Sequence, residues 1–296
     1  MSSNRERNDR KKAGKTGFRQ AKGRGHERVA GPHGEGRGKG DSIAERTQSR
    51  ARPTKVDADN WLWGRHPVMA ALDNPARRGA GRLFATPERA AELEDKAGGR
   101  TVEVVDGAHL ARLLPPGAVH QGMAMKVAPL EGVALEDMAE PAGGVIVMLD
   151  QLTDPQNVGA IFRSALAFGA RGIVVQERHS PALSGALAKA SAGATERLPC
   201  ARVTNLSRAL ERLADLGWRA VGLDGSGGQT LEEALDDRPT VLVMGSEGDG
   251  IRRLVAEHCD ALARIPMPGG FESLNVSNAA AVSLYECARA QGRSRS

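Results

Sequence analysis

The second half of the chain alternates short apolar runs with amphipathic stretches, and this alternation constrains the fold more than any other feature of the sequence. The apolar runs predict strands at 145–149, 173–175, 200–203, 219–223, 241–244 and 262–266. The amphipathic stretches predict helices at 158–168, 184–195, 206–216, 251–258 and 278–290. Continuously apolar strands that alternate with helices are typical of a parallel sheet covered on both faces. Such sheets bind ligands in loops at the carboxyl ends of their strands.

The first half predicts a smaller α/β domain over residues 56–128. Its pattern indicates strands at 83–85, 101–105 and 120–127 and helices at 68–72, 90–97 and 108–114. Residues 129–141 are rich in Pro, Gly and acidic side chains, which predicts a linker with one short helix at 135–139. The larger domain then covers residues 142–292.

A basic segment precedes both domains. The 296-residue chain has a formal charge of +5, but residues 1–55 alone carry 16 Lys and Arg against 6 Asp and Glu. Nine glycines and few large apolar side chains leave this segment without a core to offset the entropy of ordering, which predicts a disordered basic tail. Such a tail either binds RNA phosphates through its basic side chains or serves only as a solubilising leader.

Several classes of protein are disfavoured by composition. No apolar run approaches the roughly 18 residues of a membrane helix, and no apolar stretch follows the basic start as in a secretory signal. Three scattered cysteines form no CxxC pair, which argues against structural zinc and favours a reducing compartment. We therefore expect a cytoplasmic protein that binds neither a membrane nor a metal.

The loop after the strand at 145–149 places polar residues at a helix start. Asp154 and Asn157 occupy positions where a helix N-cap belongs, and Gly159 permits close backbone approach. Arg163 follows about one and a half turns into the helix. Taken alone, Asn157 could be only a cap and Arg163 only a surface arginine.

The loop after the strand at 241–244 is glycine-rich and acidic. Its sequence Met244-Gly245-Ser246-Glu247-Gly248 resembles a phosphate cradle at a strand end, but its spacing matches no dinucleotide or P-loop motif. Because Glu247 would repel phosphate, the turn better suits a hydroxyl or a cation. The alternative is a tight turn with a solvated glutamate.

The loop after the strand at 262–266 runs into the last predicted helix. It carries Ile265 and Met267, and then Ser273, Leu274 and Asn275, with Ser277 and Asn278 following. All four Ser and Asn side chains could serve as helix caps, but that number exceeds what one helix start requires.

These three segments, in this order, resemble the SpoU (TrmH) family of RNA ribose 2′-O-methyltransferases over residues 145–290. Gly64-Arg65-His66-Pro67-Val68 and His120-Gln121-Gly122 resemble the small RNA-binding domain that precedes the catalytic domain in this family. The layout is most similar to members that methylate a guanosine ribose of 23S rRNA.

The resemblance implies an α/β fold in which a small RNA-binding domain precedes a trefoil-knotted parallel-sheet domain of the SPOUT type. It implies S-adenosylmethionine as methyl donor, RNA (23S rRNA) as substrate, and a homodimer with sites at the interface. The implied cofactor-binding positions are Met244, Gly245, Gly248, Ile265, Met267 and Leu274. The implied catalytic positions are Arg163, Asn157, Glu247, Ser273 and Asn275.

The chemistry of methyl transfer is compatible with these residue types. A ribose hydroxyl is a poor nucleophile, so the enzyme must align it with the methyl group and help its proton leave. Arg163 would orient the hydroxyl and a neighbouring phosphate, or act as a base if its site perturbs it. The alternatives are the same reaction on tRNA, or a non-catalytic RNA-binding factor with this fold; an oxidoreductase is disfavoured because no GxGxxG motif is present.

Overall fold

The structure is a computed structural model, and it describes residues 57–246, 248–270 and 273–293. The predicted basic tail at 1–55 lies outside these residues. The described chain belongs to one compact unit that contains a four-stranded and a seven-stranded sheet. Among the described helices, none combines the length and the apolar character needed to cross a membrane.

The smaller sheet has the order β1-β4-β2-β3, in which β4 runs antiparallel to β1 and β2 and parallel pairing joins β2 to β3. Its strands are β1 (Trp61–Trp63), β2 (Arg82–Ala85), β3 (Val102–Val104) and β4 (Met123–Lys126). Its helices are α1 (Arg65–Asp73), α2 (Pro87–Glu94) and α3 (Gly107–Leu113). The sequence did not predict β1, because its three apolar residues lead through Gly64 directly into the segment of α1 and do not form a separate run.

The reason for β1 is visible in its burial. Leu62 packs into one hydrophobic cluster, while Trp61 and Trp63 pack into another on the opposite face of the sheet. Alternate side chains of a strand point to opposite faces, so these three residues hold both small cores together.

The larger sheet is entirely parallel, as predicted, with the order β7-β6-β5-β10-β8-β11-β9. Its strands are β5 (Val145–Leu149), β6 (Gly172–Gln176), β7 (Cys200–Val203), β8 (Arg219–Leu223), β9 (Gln229–Thr230), β10 (Thr240–Met244) and β11 (Ala261–Arg264). The order reverses beside β5, where β10 is inserted between β5 and β8. A trefoil knot in this domain stays a prediction.

Helices cover both faces of this sheet. They are α5 (Pro155–Ala167), α6 (Gly185–Ala190), α7 (Leu206–Asp215), α8 (Leu231–Ala234), α9 (Arg253–Ala256) and α10 (Val276–Arg293). Val145, Val147 and Leu149 of β5 face one core cluster, and Ile146 and Met148 face the other. This double burial explains why β5 is apolar at every position.

Every predicted helix except that at 135–139 has bounds that differ from the structure by one to five residues, α5, α6 and α9 among them. Helix α5 begins at Pro155 because Asp154 caps it, accepting hydrogen bonds from two backbone N–H groups of its first turn. Helix α6 ends at Ala190, and the backbone then turns left-handed at Ala192 and Gly193. Helix α9 is a single turn, shorter than the predicted 251–258.

The two sheets are joined by α4 (Leu135–Ala139), which matches the predicted linker helix, and by a tight junction. At the junction α6 packs against the smaller sheet, so that Ala188 is buried in the core around Leu62 and Val68. Arg77 and Glu196 form a buried ion pair across the same junction, with Nη2–Oε1 and Nε–Oε2 distances of 2.8 and 2.9 Å. The predicted domain boundaries at 56–128, 129–141 and 142–292 stay predictions.

Candidate functional site

The loops that follow β10 and β11 meet at one cleft of about 460 Å³. Parallel strands bring their carboxyl ends to the same edge of a sheet, which is why loops so far apart in sequence converge here. Each of the six residues expected to bind the cofactor lines this cleft: Met244, Gly245, Gly248, Ile265, Met267 and Leu274. Ser273, one of the expected catalytic residues, lines it as well.

The loop after β10 folds back on itself. Ser246 and Gly250 exchange two backbone hydrogen bonds, N–O distances 3.1 and 3.0 Å, which close the glycine-rich turn. A Cβ atom on Gly245 would overlap the backbone of Gly250, so only glycine fits at this strand end. Glu247 lies outside the described residues.

An amide pair joins the first loop to the third. Asn275 Nδ2 donates a hydrogen bond to Asn157 Oδ1 at 3.0 Å. Asn275 Oδ1 accepts from the backbone N–H of Ser277 at 3.0 Å, so the same side chain caps α10. Asn275 therefore does cap α10, but capping does not account for its bond to Asn157. Two expected catalytic residues are thereby held together at the starts of α5 and α10.

Arg163 is placed differently. It is exposed on α5, does not line the cleft, and makes no hydrogen bond or ion pair with the described residues. It lies one turn beyond Gly159, whose absent side chain lets α5 approach Ala190 of α6. The structure thus brings Asn157, Ser273 and Asn275 to one edge of the sheet but leaves Arg163 outside the cleft of its own chain.

An ion pair between buried Asp150 and half-buried Arg252 supports the first loop. The Asp150 side chain, immediately after β5, is fully buried and accepts from Arg252 Nε at 2.7 Å and from the Arg252 backbone N–H at 2.9 Å. Arg252 also donates to Gln176 Oε1 at 3.2 Å. These bonds connect the carboxyl ends of β5 and β6 to the segment that follows the glycine-rich turn.

Sequence reasoning missed a fourth loop. Leu223, Asp224, Gly225 and Ser226, after β8, also line the cleft. Asp224 Oδ1 accepts from the Ser226 backbone N–H at 2.7 Å and from Ser226 Oγ at 2.6 Å, which fixes this turn. The glycine-rich run 225–228 directly after a predicted strand was the signal that could have revealed it.

The cysteines take no part in this chemistry. All three are free, and burial raises the pKa of Cys200, Cys259 and Cys287 to about 12. Desolvation disfavours a thiolate, so these groups stay protonated at neutral pH and are poor nucleophiles.

Comparison with known proteins decides the family. Residues 144–285 match the model of the SpoU rRNA methylase family, and residues 61–133 match that of the RNA 2′-O ribose methyltransferase substrate-binding domain. A tRNA/rRNA methyltransferase of Mycolicibacterium smegmatis is 40% identical over 258 residues, which cover 83% of this chain and 81% of the relative. This chain belongs to the SpoU methyltransferase family. The expected resemblance is confirmed, as is the α/β architecture with a small domain before the parallel-sheet domain.

Solved structures of SpoU enzymes share the fold. AviRb of Streptomyces viridochromogenes, in complex with S-adenosylmethionine, superimposes with a TM-score of 0.65 at 27% identity, covering 77% of this chain and 89% of AviRb. An S-adenosylmethionine-bound rRNA methyltransferase of Sinorhizobium meliloti gives the same TM-score and identity over 77% of this chain and 86% of that one. SpoU enzymes use S-adenosylmethionine, which confirms the expected cofactor of the family.

Proposed function

We propose that this chain transfers a methyl group from S-adenosylmethionine to a ribose 2′-hydroxyl in RNA, and that its substrate is a guanosine of 23S rRNA. The observation that carries the proposal is the cleft at the ends of β10 and β11 with the Asn157–Asn275 pair beside it. This arrangement places a binding cavity next to fixed amide groups that can orient a hydroxyl.

The cleft fits the cofactor in size and in chemistry. Sites for small ligands typically measure about 300–1,000 Å³ and are mostly apolar with a few polar groups. Here Met244, Ile265, Met267 and Leu274 supply apolar surface for an adenine ring. The strand-end backbone groups and the Asp224 carboxylate add hydrogen-bond acceptors. Among the described lining residues, Arg264 is the only one with a cationic side chain. Bound S-adenosylmethionine supplies an electrophilic methyl group on a sulfonium cation, which an acidic cleft tolerates better than a basic one.

The residues beside the cleft would handle the acceptor hydroxyl. Asn157 and Asn275 are held by their mutual bond and by the α10 cap, so their side-chain amides have fixed positions. Ser273 lies within the lining, close enough in sequence to share that orientation. Glu247 is proposed to act from the glycine-rich turn. Arg163 would orient the ribose and its phosphate, for which a planar guanidinium is suited.

A homodimer would bring Arg163 to a cleft. Phe168 and Tyr285 are 39% and 55% exposed and stack edge to face with ring centroids 6.1 Å apart. Val282, also exposed on α10, extends this apolar patch along the helices that carry Arg163 and Asn275. Exposed contiguous apolar surface marks interaction sites, and its position on α5 and α10 favours a second copy of the chain whose cleft receives Arg163.

The small domain supports rRNA as substrate. The match to a substrate-binding model over residues 61–133 supports a role of this part of the chain in RNA recognition. Relatives carry names that include both tRNA and rRNA, so the RNA class rests on this domain layout.

The decisive experiment follows methyl transfer from labelled S-adenosylmethionine to 23S rRNA and to tRNA from cells that lack the protein. We expect one labelled guanosine in 23S rRNA whose 3′ phosphodiester resists alkaline hydrolysis, since a 2′-O-methyl group blocks that cleavage. Label on a base would overturn the ribose assignment, label only in tRNA would replace the substrate, and no transfer to either RNA would overturn the proposal.

A further inference from the structure

Two motifs of the small domain meet a lysine of the larger domain at the junction between them. Lys189, on α6, donates from Nζ to Gln121 Oε1 at 2.9 Å. The same oxygen accepts from the backbone N–H of Arg65 at 3.1 Å. A Cβ atom on Gly64 would overlap Lys189 Nζ, so the glycine provides the space that the ammonium fills. Gly64-Arg65-His66 and His120-Gln121-Gly122, distant in sequence, therefore converge on one cation.

The Lys189 ammonium lacks an anionic partner. It forms no ion pair with a described carboxylate, and its one bond is to a neutral amide. Burial lowers the pKa of Lys189, because partial desolvation disfavours the charged form and no nearby anion opposes it. An ammonium has three donors, so two N–H groups remain for a ligand.

The surface around the ammonium is open and basic. Gln121, which Lys189 contacts, and Arg65, whose backbone N–H shares the Gln121 oxygen, are both exposed. Arg65 and Arg89 share a single carboxylate, that of Glu92. With Lys189 the cluster holds three basic side chains, and the acids beside them among the described residues are Glu92 and Glu88, the latter near Arg89. An oxygen-rich anion is the ligand that such a cluster and two unused N–H donors fit.

The position of this cluster selects the ligand. Helix α6 packs on one side against α5, where Gly159 meets Ala190, and on the other against the smaller sheet. Helix α5 also carries Asn157 of the candidate site. An RNA strand that runs from the small domain to the cleft along this junction would bring its backbone phosphates, which are anions, to Lys189.

We propose that Lys189, with Arg65 beside it, forms a subsite that binds a backbone phosphate of the RNA substrate at the junction of the two sheets. The inference rests on the proposed function and extends it, because it says where the RNA passes between its binding domain and the cleft. The competing explanation is that the Lys189–Gln121 bond only docks the small domain.

The test measures binding of a 23S rRNA transcript by the full chain as a function of salt. Lys189→Met removes the charge and keeps the length of the side chain. We expect about tenfold weaker binding, and a log–log salt slope shallower by about 0.7–0.9, the value of one phosphate contact. Lys189→Arg keeps the slope. Lys96→Met is the matched control, because Lys96 is exposed and already paired with Asp73 at 2.9 Å, and its slope stays that of the wild type.

Gln121→Glu separates the two explanations. It places a carboxylate at the oxygen that Lys189 and Arg65 already use, so the docking bond becomes an ion pair. A docking role predicts equal or higher thermal stability and unchanged RNA binding. The phosphate subsite predicts equal or higher stability with several-fold weaker RNA binding, because the new carboxylate competes with the phosphate.

Each outcome has one consequence. An unchanged salt slope in Lys189→Met, or unchanged RNA binding in Gln121→Glu, overturns the subsite while wild-type methyl transfer in the same preparation upholds the proposed function. A wild-type chain that neither binds nor methylates the transcript overturns both. S-adenosylmethionine affinity, measured by calorimetry, stays the same in all four variants and shows that the cleft is intact.

Discussion

Replacing Arg77 by Met should destabilise the chain strongly, because it leaves the buried carboxylate of Glu196 without its positively charged partner. The Glu196 side chain is fully buried and accepts from Arg77 Nε, Arg77 Nη2 and Asn74 Nδ2, each at 2.8–2.9 Å. Arg77 Nη1 also donates to the Ala128 carbonyl at 2.6 Å. After the replacement only Asn74 remains to solvate the Glu196 charge.

The expected loss is about 3–5 kcal/mol, the cost of leaving one member of a buried ion pair without its partner. At about 2–4 °C per kcal/mol for a unit of this size, the melting temperature should fall by roughly 6–20 °C. The pair also joins the two sheets, so we expect the transition to remain single while its midpoint moves. Denaturant titration followed by Trp fluorescence measures the change, since Trp61 and Trp63 lie in the smaller sheet and Trp218 is buried beside the larger one.

Two further variants make the argument refutable. Arg77→Met combined with Glu196→Leu removes both charges and should recover most of the lost stability, because an apolar pair of similar volume has no uncompensated charge. Arg253→Met breaks the exposed Arg253–Glu257 pair and should cost only about 0.3–0.5 kcal/mol. A loss of unfolding free energy in Arg77→Met no larger than that in Arg253→Met would refute the reasoning. So would a double variant as unstable as Arg77→Met, because the unpaired Glu196 carboxylate would then not be the cause of the loss.

Three other predictions concern the candidate site and the tail. Arg163→Ala should slow methyl transfer to RNA by about 10²–10³ without changing S-adenosylmethionine affinity, and Arg163→Lys should not rescue it; near-normal turnover would make Arg163 a surface arginine. Asn275→Ser should keep the α10 cap and the stability but slow methyl transfer, because the bond to Asn157 is lost. Asn275→Ala should in addition lower the free energy of unfolding by about 1 kcal/mol, because it removes the cap. Equal turnover in Asn275→Ser and wild type would leave capping as the only role of Asn275. Deleting residues 1–55 should flatten the salt dependence of RNA binding and leave cofactor affinity unchanged, and an unaltered slope would make the segment a leader only.

The parallel sheet could be predicted because its strands are buried on both faces. The bounds predicted at 145–149, 200–203 and 219–223 match β5, β7 and β8, whose residues are apolar or small apart from Arg202 and Arg219. The parallel sheet alone predicts that the loops after β10 and β11 converge, because parallel strands have their carboxyl ends at the same edge of the sheet.

What the sequence did not predict depends on contacts between distant residues. The end of α6 at Ala190 is set by its packing between α5 and the smaller sheet, which overrides a helical pattern that continues to residue 195. The Lys189–Gln121 bond joins positions 68 residues apart, and the Arg77–Glu196 pair joins positions 119 apart. Neither has a local signature, because surface-like residues at each position become neighbours only when the two sheets meet.

The strand order of the larger sheet has a consequence for biosynthesis. Strand β8 pairs only with β10 and β11, both of which are translated after it, and β10 also occupies the free side of β5. Until residue 244 has left the ribosome, the nascent chain holds a three-stranded β7-β6-β5 fragment. The β5 edge of this fragment is still unpaired, and β8 has no partner strand at all. Unpaired edges of this kind are sites of aggregation. Nascent or truncated chains that end between β8 and β10 should therefore depend on chaperones far more than the finished protein.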